Sequence, residues 1–175
     1  HRDLHSFPTR RSSDLDDTFA RLRAERRTGL IAYVTAGDPD LPRSADVIRA
    51  IDRGGADVIE LGVPFSDPLA DGPVIQRATE RALAAGTTLT RVLELAAGLR
   101  ADVATPLVLF TYANPMVRMG VVAFARRARE AGIDGVLVLD LPPEEASEAR
   151  GAFVAEGLDT IFLLSPTTSV ARIRR

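Results

Sequence analysis

The 175-residue sequence contains no cysteine and no lysine, and its only histidines are His1 and His5. Without cysteine, disulfides and thiolate chemistry are excluded within these residues, and the redox compartment stays undetermined. Without lysine, no side chain of this segment can form a Schiff base with a carbonyl substrate. Acid–base chemistry in the regular part of the chain therefore falls to carboxylates and tyrosine.

The sequence also lacks an excess of charge of one sign and any long apolar run. There are 22 basic and 24 acidic residues, and they are spread along the chain, which does not indicate a surface for nucleic acid or for a membrane. No apolar run approaches the roughly 20 residues that a membrane-spanning helix needs. Hydrophobic residues make up 46% of the chain, enough to build the core of one domain.

The first fifteen residues, HRDLHSFPTRRSSDL, differ from the rest of the chain. They show neither helical nor strand periodicity, and they lack the apolar centre of a secretory signal. We predict a non-native or disordered leader over residues 1–15 and a folded domain over residues 16–175. The domain is expected to begin with an amphipathic helix that has Leu15, Phe19 and Leu22 on one face.

A short repeat marks the start of three apolar segments. In each copy a glycine closes an amphipathic helix, an aspartate follows two positions later, and a strand begins. Glycine suits the left-handed residue after a helix, and continuously apolar strands are typical of parallel sheets covered on both faces. The copies are Gly55-Ala56-Asp57, Gly132-Ile133-Asp134 and Gly157-Leu158-Asp159. Strands are predicted near 30–35, 58–63, 107–112, 135–140 and 159–164, and helices at 41–53, 73–85 and 89–100.

Alternation of strands and helices indicates an α/β protein, and both a doubly wound sheet and a barrel fit it. No G-x-G-x-x-G turn follows a strand, which weakens the dinucleotide-binding interpretation. Polar residues instead stand at several strand ends, as in a barrel whose site is assembled from many strands. A complete (β/α)8 barrel needs about 250 residues. We therefore predict a (β/α)8 TIM barrel truncated after about five strands.

The segment ELGVPFSDPLADGP (60–73) joins the second strand to the next helix. It is longer than the roughly 2 to 6 residues of an ordinary strand-to-helix connection. Side chains alternate along the strand, so Val58, Glu60 and Gly62 share one face. If the other face meets the helices, Glu60 points into the barrel mouth, where partial desolvation raises its pKa, and Gly62 leaves room for a ligand.

Other polar residues have simpler interpretations. Asp71 stands two residues before Pro73, where it could cap the following helix, a role that could coexist with one in the site. Asp140 is expected to be a turn or strand-end residue near the barrel mouth that could support Glu60 indirectly. Asn114-Pro115 is predicted to form a turn.

The stretch ELGVPFSDPLADGPVIQ (60–76) resembles the signature of the tryptophan synthase alpha subunit family. Four further segments match in family order, so that the resemblance covers roughly residues 16–175. They are YVTAGDPD (33–40), TYANPM (111–116), DGVLVLDLPPEE (134–145) and LSPTT (164–168). The resemblance implies a cytoplasmic (β/α)8 lyase that cleaves indole-3-glycerol phosphate to indole and glyceraldehyde 3-phosphate in tryptophan biosynthesis.

The resemblance also implies roles for individual residues. Glu60 would be the general acid/base that protonates C3 of the indole ring, and Asp71 would stabilise the charge that develops at the indole N–H. The implied pocket-lining residues are Tyr33, Ile75, Phe110, Tyr112 and Leu137. The loop 64–71 would face a beta subunit, with Pro64, Phe65 and Asp67 as contacts.

No metal or cofactor is implied for this subunit, and pyridoxal phosphate is expected in the partner beta subunit. An alpha2beta2 tetramer is expected for the intact chain, with no nucleic-acid or membrane partner. Retro-aldol cleavage of this substrate needs no imine, because the protonated indole ring accepts the electrons; the absence of lysine is compatible with it.

In the family, the phosphate-binding glycines and serine and a mobile loop lie beyond the fifth strand. We therefore expect the 175-residue segment by itself to have little or no activity and poor solubility. Two alternatives remain open: a non-catalytic partner-binding fragment, and another phosphate-binding barrel enzyme of the same pathway.

Overall fold

The computed structural model describes residues 14–173, which form five strands and eight helices. No helix in this range is long and apolar enough to cross a membrane. The strands are β1 (Ile31–Thr35), β2 (Val58–Gly62), β3 (Leu107–Thr111), β4 (Gly135–Val138) and β5 (Asp159–Ile161). The helices are α1 (Asp14–Glu25), α2 (Leu41–Arg53), α3 (Pro73–Ala84), α4 (Leu89–Leu99), α5 (Ala113–Met119), α6 (Val121–Glu130), α7 (Ser147–Ala155) and α8 (Val170–Ile173).

The five strands make one parallel sheet in which every strand pairs with the next one along the chain, in the order β1-β2-β3-β4-β5. A doubly wound sheet reverses its strand order at a switch point, where its ligand binds. No reversal occurs among the described strands. The sheet thus follows the strand order of a barrel, the second of the two architectures that the sequence left open.

The two faces of the sheet have different partners. One face packs against the helices and forms the larger core, in which Ile59 and Leu61 of β2 are fully buried. The opposite face, called the inner face below, presents Val58, Val108 and Leu137 in a smaller apolar cluster. The predicted alternation along β2 is therefore confirmed, and Glu60 lies on the inner face between apolar neighbours.

Helix α1 covers part of this inner cluster through Leu15, which is 6% exposed. The buried face of α1 consists of Leu15, Thr18 and Leu22, whereas Phe19 is 40% exposed. Phe19 lies beside the face that meets the sheet and lines a surface cleft with Ile31. Leu15 belongs to the fold although the predicted leader includes it; residues 1–13 lie outside the described range.

The repeated glycines end helices as predicted. Gly55, Gly132 and Gly157 have φ angles of 86°, 79° and 69°, in the left-handed region that residues other than glycine rarely adopt. Each follows the last residues of a helix and lets the chain turn directly into the next strand. The glycine of the repeat therefore has the backbone conformation that the sequence pattern indicated.

The repeated aspartates join the starts of neighbouring strands. Asp57 accepts a hydrogen bond of 2.9 Å from the backbone N–H of Leu30, and Asp134 accepts one of 2.8 Å from that of Leu107. Arg27 pairs with Asp57 and, together with the Leu30 N–H, holds the pKa of that carboxyl well below its usual range. The hydrogen bonds from the two backbone N–H groups to these buried aspartates fix adjacent strands relative to each other.

The third copy of the repeat differs. Asp159 has a buried carboxylate oxygen without a hydrogen-bond partner among the described residues. Its backbone N–H donates to Asp134 O, and the Asp134 N–H is already bonded to Leu107 O. The repeat therefore has the same backbone pattern three times but the carboxylate–N–H link only twice.

Two local predictions are wrong, namely the turn at Asn114-Pro115 and the end of the fifth strand. Asn114-Pro115 is not a turn but lies in the first turn of α5, where proline is tolerated because its missing N–H has no intrahelical acceptor. Asp140 accepts a 2.7 Å hydrogen bond from Ala113 N and so satisfies the first N–H of that helix. Strand β5 ends at Ile161 rather than near 164, because its partner β4 ends at Val138 before the chain turns.

We predict that Asp134→Ala lowers the free energy of unfolding by about 3 to 5 kcal/mol, the usual effect of removing one partner of a buried ion pair. The side chain of Asp134 is fully buried and pairs with Arg100, which is 19% exposed. Urea unfolding of both proteins measures the difference. Glu130→Ala removes an exposed i,i+4 pair with Arg126 and serves as the matched control, with an expected loss below about 0.5 kcal/mol. Equal losses in the two variants would contradict the structural role of Asp134.

Candidate active site

Glu60 is the central acid of β2 and is half-buried on the inner face. The parallel register places it beside Tyr33 of β1 and Val108 of β3. Burial raises the pKa of the Glu60 carboxyl, because removal of water disfavours its charged form. A carboxyl whose pKa is shifted toward neutrality is suited both to give and to take up a proton.

Tyr33 fills the space above Gly62. A Cβ atom at Gly62 would lie 2.1 Å from the Tyr33 hydroxyl oxygen, so any other residue there would have to displace the phenol. The ring of Tyr33 meets Phe110 edge to face, with ring centres 5.4 Å apart. The prediction that Gly62 leaves room for a ligand is therefore wrong, because the tyrosine from the neighbouring strand occupies that room.

The two predicted catalytic carboxylates lie near the same phenol. Burial raises the pKa of Tyr33, and the negative charges of Asp71 and Glu60 raise it further, whereas a hydrogen bond with Thr35 opposes the shift. Both carboxylates are thus close enough to influence one side chain at the carboxyl ends of β1 and β2. Tyr33 stays protonated at neutral pH and remains a hydrogen-bond donor there.

Asp71 does not cap α3. The N-cap residue of that helix is Gly72, which makes no side-chain capping bond, and Pro73 occupies the first turn. Asp71 stands one position too early for the cap, and its Oδ2 accepts a 2.9 Å hydrogen bond from the Tyr112 hydroxyl. The capping interpretation of Asp71 is therefore wrong, and its carboxylate is directed to the end of β3.

The loop that carries Asp71 is held from two sides. The hydroxyl of Tyr112 also accepts a 3.1 Å bond from Ala70 N, and its ring packs against Phe65 with ring centres 5.2 Å apart. On the other side, Gln76 of α3 donates a 2.9 Å bond to Asp71 O. Sequence reasoning missed Gln76 as a functional residue, although it closes the 60–76 motif.

The remaining predicted pocket residues are placed as follows. Phe110 and Leu137 are register partners on the inner face, and Leu137 is 2% exposed. Ile75 lies half-buried in the first turn of α3. Their contact with a substrate stays a prediction, as does that of Tyr33 and Tyr112. Within residues 14–173, no group of three His, Cys, Asp or Glu side chains is arranged to hold a metal ion.

The predicted partner-contact residues differ in exposure. Asp67 is exposed at the outer part of the loop, where it accepts a 2.8 Å bond from the Ser66 hydroxyl. Pro64 is buried and Phe65 is half-buried against Tyr112. Leu69, which the sequence did not single out, is 92% exposed. The outward surface of this loop is thus formed by Ser66, Asp67 and Leu69 rather than by its first two residues.

We predict that Glu60→Gln raises the melting temperature at pH 7 and that the difference shrinks toward pH 4. The folded-state pKa of Glu60 lies above its ordinary value of 4.5. The stabilisation that comes from protonating Glu60 in the folded state is therefore fully present below pH 4.5. This stabilisation is lost as the pH rises through the folded-state pKa, and glutamine avoids the loss because it has no charge to desolvate. Thermal unfolding followed by circular dichroism measures the difference, with Glu94→Gln on the exposed face of α4 as the control. A difference in melting temperature that does not vary with pH would contradict this prediction.

The sequence matches curated relatives over nearly its whole length. It is 57% identical over 162 residues to the tryptophan synthase alpha chain of Burkholderia thailandensis, an alignment that covers 92% of this chain and 60% of the relative. It is 56% identical over 160 residues to the corresponding chain of Laribacter hongkongensis, covering 91% and 61%. The chain thus spans about three fifths of the length of these relatives.

Solved structures show the same fold. The tryptophan synthase subunit alpha from Legionella pneumophila superposes with a TM-score of 0.90 at 45% identity, over 93% of this chain and 62% of that one. A chain of tryptophan synthase from Mycobacterium tuberculosis, in an aminoacrylate- and BRD0059-bound form, gives 0.88 at 40% identity, over 93% and 65%. The alpha subunits are (β/α)8 barrels, so the five-stranded sheet corresponds to part of such a barrel.

A family model described as tryptophan synthase alpha chain matches residues 19–175. This range includes all five strands, Glu60 and the loop that carries Asp71. With these matches in sequence and structure, the chain belongs to the tryptophan synthase alpha chain family.

Proposed function

We propose that this chain supplies the catalytic carboxylates of a lyase that cleaves indole-3-glycerol phosphate to indole and glyceraldehyde 3-phosphate. The observation that carries the proposal is the pair of carboxylates supplied by β2 and by the loop after it. Glu60 is half-buried on the inner face with a raised pKa, and Asp71 comes from the loop that follows and is held by Tyr112. The family membership supplies the substrate.

The proposed cleavage needs two proton transfers. The carboxyl of Glu60 gives its proton to C3 of the indole ring, which turns the ring into a cation with its positive charge at the nitrogen. The hydroxyl next to the breaking bond then loses its proton to the carboxylate of Glu60, and the carbon–carbon bond breaks. The bonding electrons return to the ring, so that indole and an aldehyde leave and Glu60 regains its proton.

Asp71 acts at the other end of the ring in this proposal. An anionic carboxylate beside the ring nitrogen stabilises the positive charge that develops when C3 is protonated. Tyr33 and Phe110, which meet edge to face beside Glu60, form the apolar wall against which an indole ring would pack. Ile75 and Leu137 are proposed as further pocket residues, as the resemblance implies.

The proposal includes a partner and a compartment. The reaction needs no cofactor on this chain, and pyridoxal phosphate is expected on a beta subunit that converts indole to tryptophan in the cytoplasm. The surface proposed to meet that subunit is the outer part of the 64–71 loop. Its exposed apolar residue Leu69 lies in the same loop as the exposed polar residues Ser66 and Asp67, a composition that suits a protein contact. An alpha2beta2 assembly is expected for the intact chain.

We predict that Glu60→Gln lowers kcat for indole release by about 100- to 10,000-fold, the range for loss of a general acid–base group. The assay uses the completed chain, defined as this sequence extended after Arg175 with the corresponding residues of the Burkholderia thailandensis relative. Glu94→Gln, a matched change on the exposed face of α4, leaves the rate unchanged. An unaltered kcat for Glu60→Gln would remove Glu60 from the mechanism.

We predict that Leu69→Asp weakens binding of the completed chain to the Burkholderia beta chain by at least about tenfold, because it places a charge in an apolar contact. Calorimetry or sedimentation measures the Kd. Val154→Asp is the matched control, since Val154 is 72% exposed on α7, away from the loop. Equal effects of the two substitutions would exclude Leu69 from the interface.

A further inference from the structure

Tyr112 links both ends of the 64–71 loop to the end of β3. Its ring packs against Phe65 near the start of the loop. Its hydroxyl lies 3.1 Å from Ala70 N and 2.9 Å from Asp71 Oδ2, near the end of the loop. The side chain is 6% exposed, so little of its ring is available to a ligand. A residue in this position fixes the loop from the neighbouring strand.

The donor and acceptor capacities of the groups around Tyr112 determine which atom donates each hydrogen bond. The backbone N–H of Ala70 can only donate, so it uses a lone pair of the phenol oxygen. The single phenol proton is then left for Asp71, whose ionised carboxylate can only accept. Burial raises the pKa of Tyr112 to about 12, with a further increase from Asp71 that the Ala70 N–H opposes. The phenol is therefore a donor throughout the neutral pH range.

One carboxylate oxygen of Asp71 accepts no hydrogen bond from the described residues. Gln76 holds its backbone carbonyl at 2.9 Å and Tyr112 holds Oδ2. Among residues 14–173, no hydrogen bond reaches Oδ1. Both the backbone and one oxygen of Asp71 are thus fixed, while the second oxygen remains for another donor.

We propose that Tyr112 is a positioning residue that acts on the reaction through Asp71. Its hydroxyl, oriented by the Ala70 N–H, fixes Oδ2 and leaves Oδ1 to accept the N–H of the indole ring. The inference rests on the proposed function and differs from the pocket-lining role that the resemblance implies for Tyr112. Because the ring nitrogen gains positive charge only as C3 is protonated, the fixed oxygen contributes mainly in the transition state.

Tyr112→Phe in the completed chain tests this role, because it keeps the ring and its contact with Phe65 and removes only the hydroxyl. We expect kcat for indole release to fall by about 10- to 100-fold, as for a misplaced catalytic group, while KM changes much less. In an Asp71→Asn background the same substitution should change kcat by less than about twofold, because its effect passes through Asp71. Equal losses in both backgrounds, or no loss in either, would overturn the inference.

A second measurement tests the hydrogen bond without enzyme activity. Tyrosine labelled with 13C at Cζ reports on the phenol, and the resonance missing from Tyr112→Phe identifies Tyr112. We expect Asp71→Asn to shift this resonance at pH 7. Asp67→Asn, a matched change of the exposed carboxylate in the same loop, should leave it in place. The 175-residue sequence contains two tyrosines, so the resonance that remains in Tyr33→Phe also identifies Tyr112. An unmoved resonance in Asp71→Asn therefore overturns the inference even if Tyr112→Phe fails to fold.

The two measurements also separate this inference from the proposed function. If the completed chain with all its native residues releases no indole, the proposed function fails, and the positioning role for this reaction fails with it. If it releases indole normally in Tyr112→Phe as well, the proposed function stands and only the positioning role is lost.

Discussion

The parallel register of β2 between β1 and β3 is the constraint on which the site depends. It places Glu60 beside Tyr33 and Val108, all directed to the inner face. A slip of one residue would turn Glu60 toward the helices and Leu61 toward the inner face, because strand side chains alternate. The buried carboxylate of Asp57 opposes such a slip, since it bonds the backbone N–H of Leu30 beside the start of β1. Asp134 makes the corresponding link between the starts of β4 and β3.

The site combines one carboxyl whose charged form is destabilised by burial with one carboxylate that is held by hydrogen bonds. Glu60 stands on a face that otherwise carries apolar side chains, and its burial disfavours the charged form that water would stabilise. Asp71 lies on a loop, where the backbone is less constrained, and it is fixed by Tyr112 and Gln76 from two different elements. The strand thus fixes the position of its carboxyl through the sheet, whereas the loop needs tertiary contacts to place its carboxylate.

The inner face also shows how neighbouring strands share space. Gly62 has no side chain, and Tyr33 from β1 fills the gap and reaches toward the two carboxylates. A larger residue at position 62 would displace the phenol and with it the aromatic pair formed with Phe110. The glycine in the motif therefore leaves space for an aromatic side chain of the same protein.

The sequence by itself determined the strand–helix alternation, the left-handed glycines of the repeat, the face on which Glu60 lies and the family. These follow from local periodicity, from backbone preferences and from a long contiguous motif. Only the tertiary structure decided that Asp71 bonds Tyr112 instead of capping α3, that Asp140 satisfies the first N–H of α5, and that Tyr33 occupies the space at Gly62. Asp71 and Tyr112 are 41 residues apart in the chain. Such partners become neighbours only when parallel strands align, so no local pattern in the sequence records them.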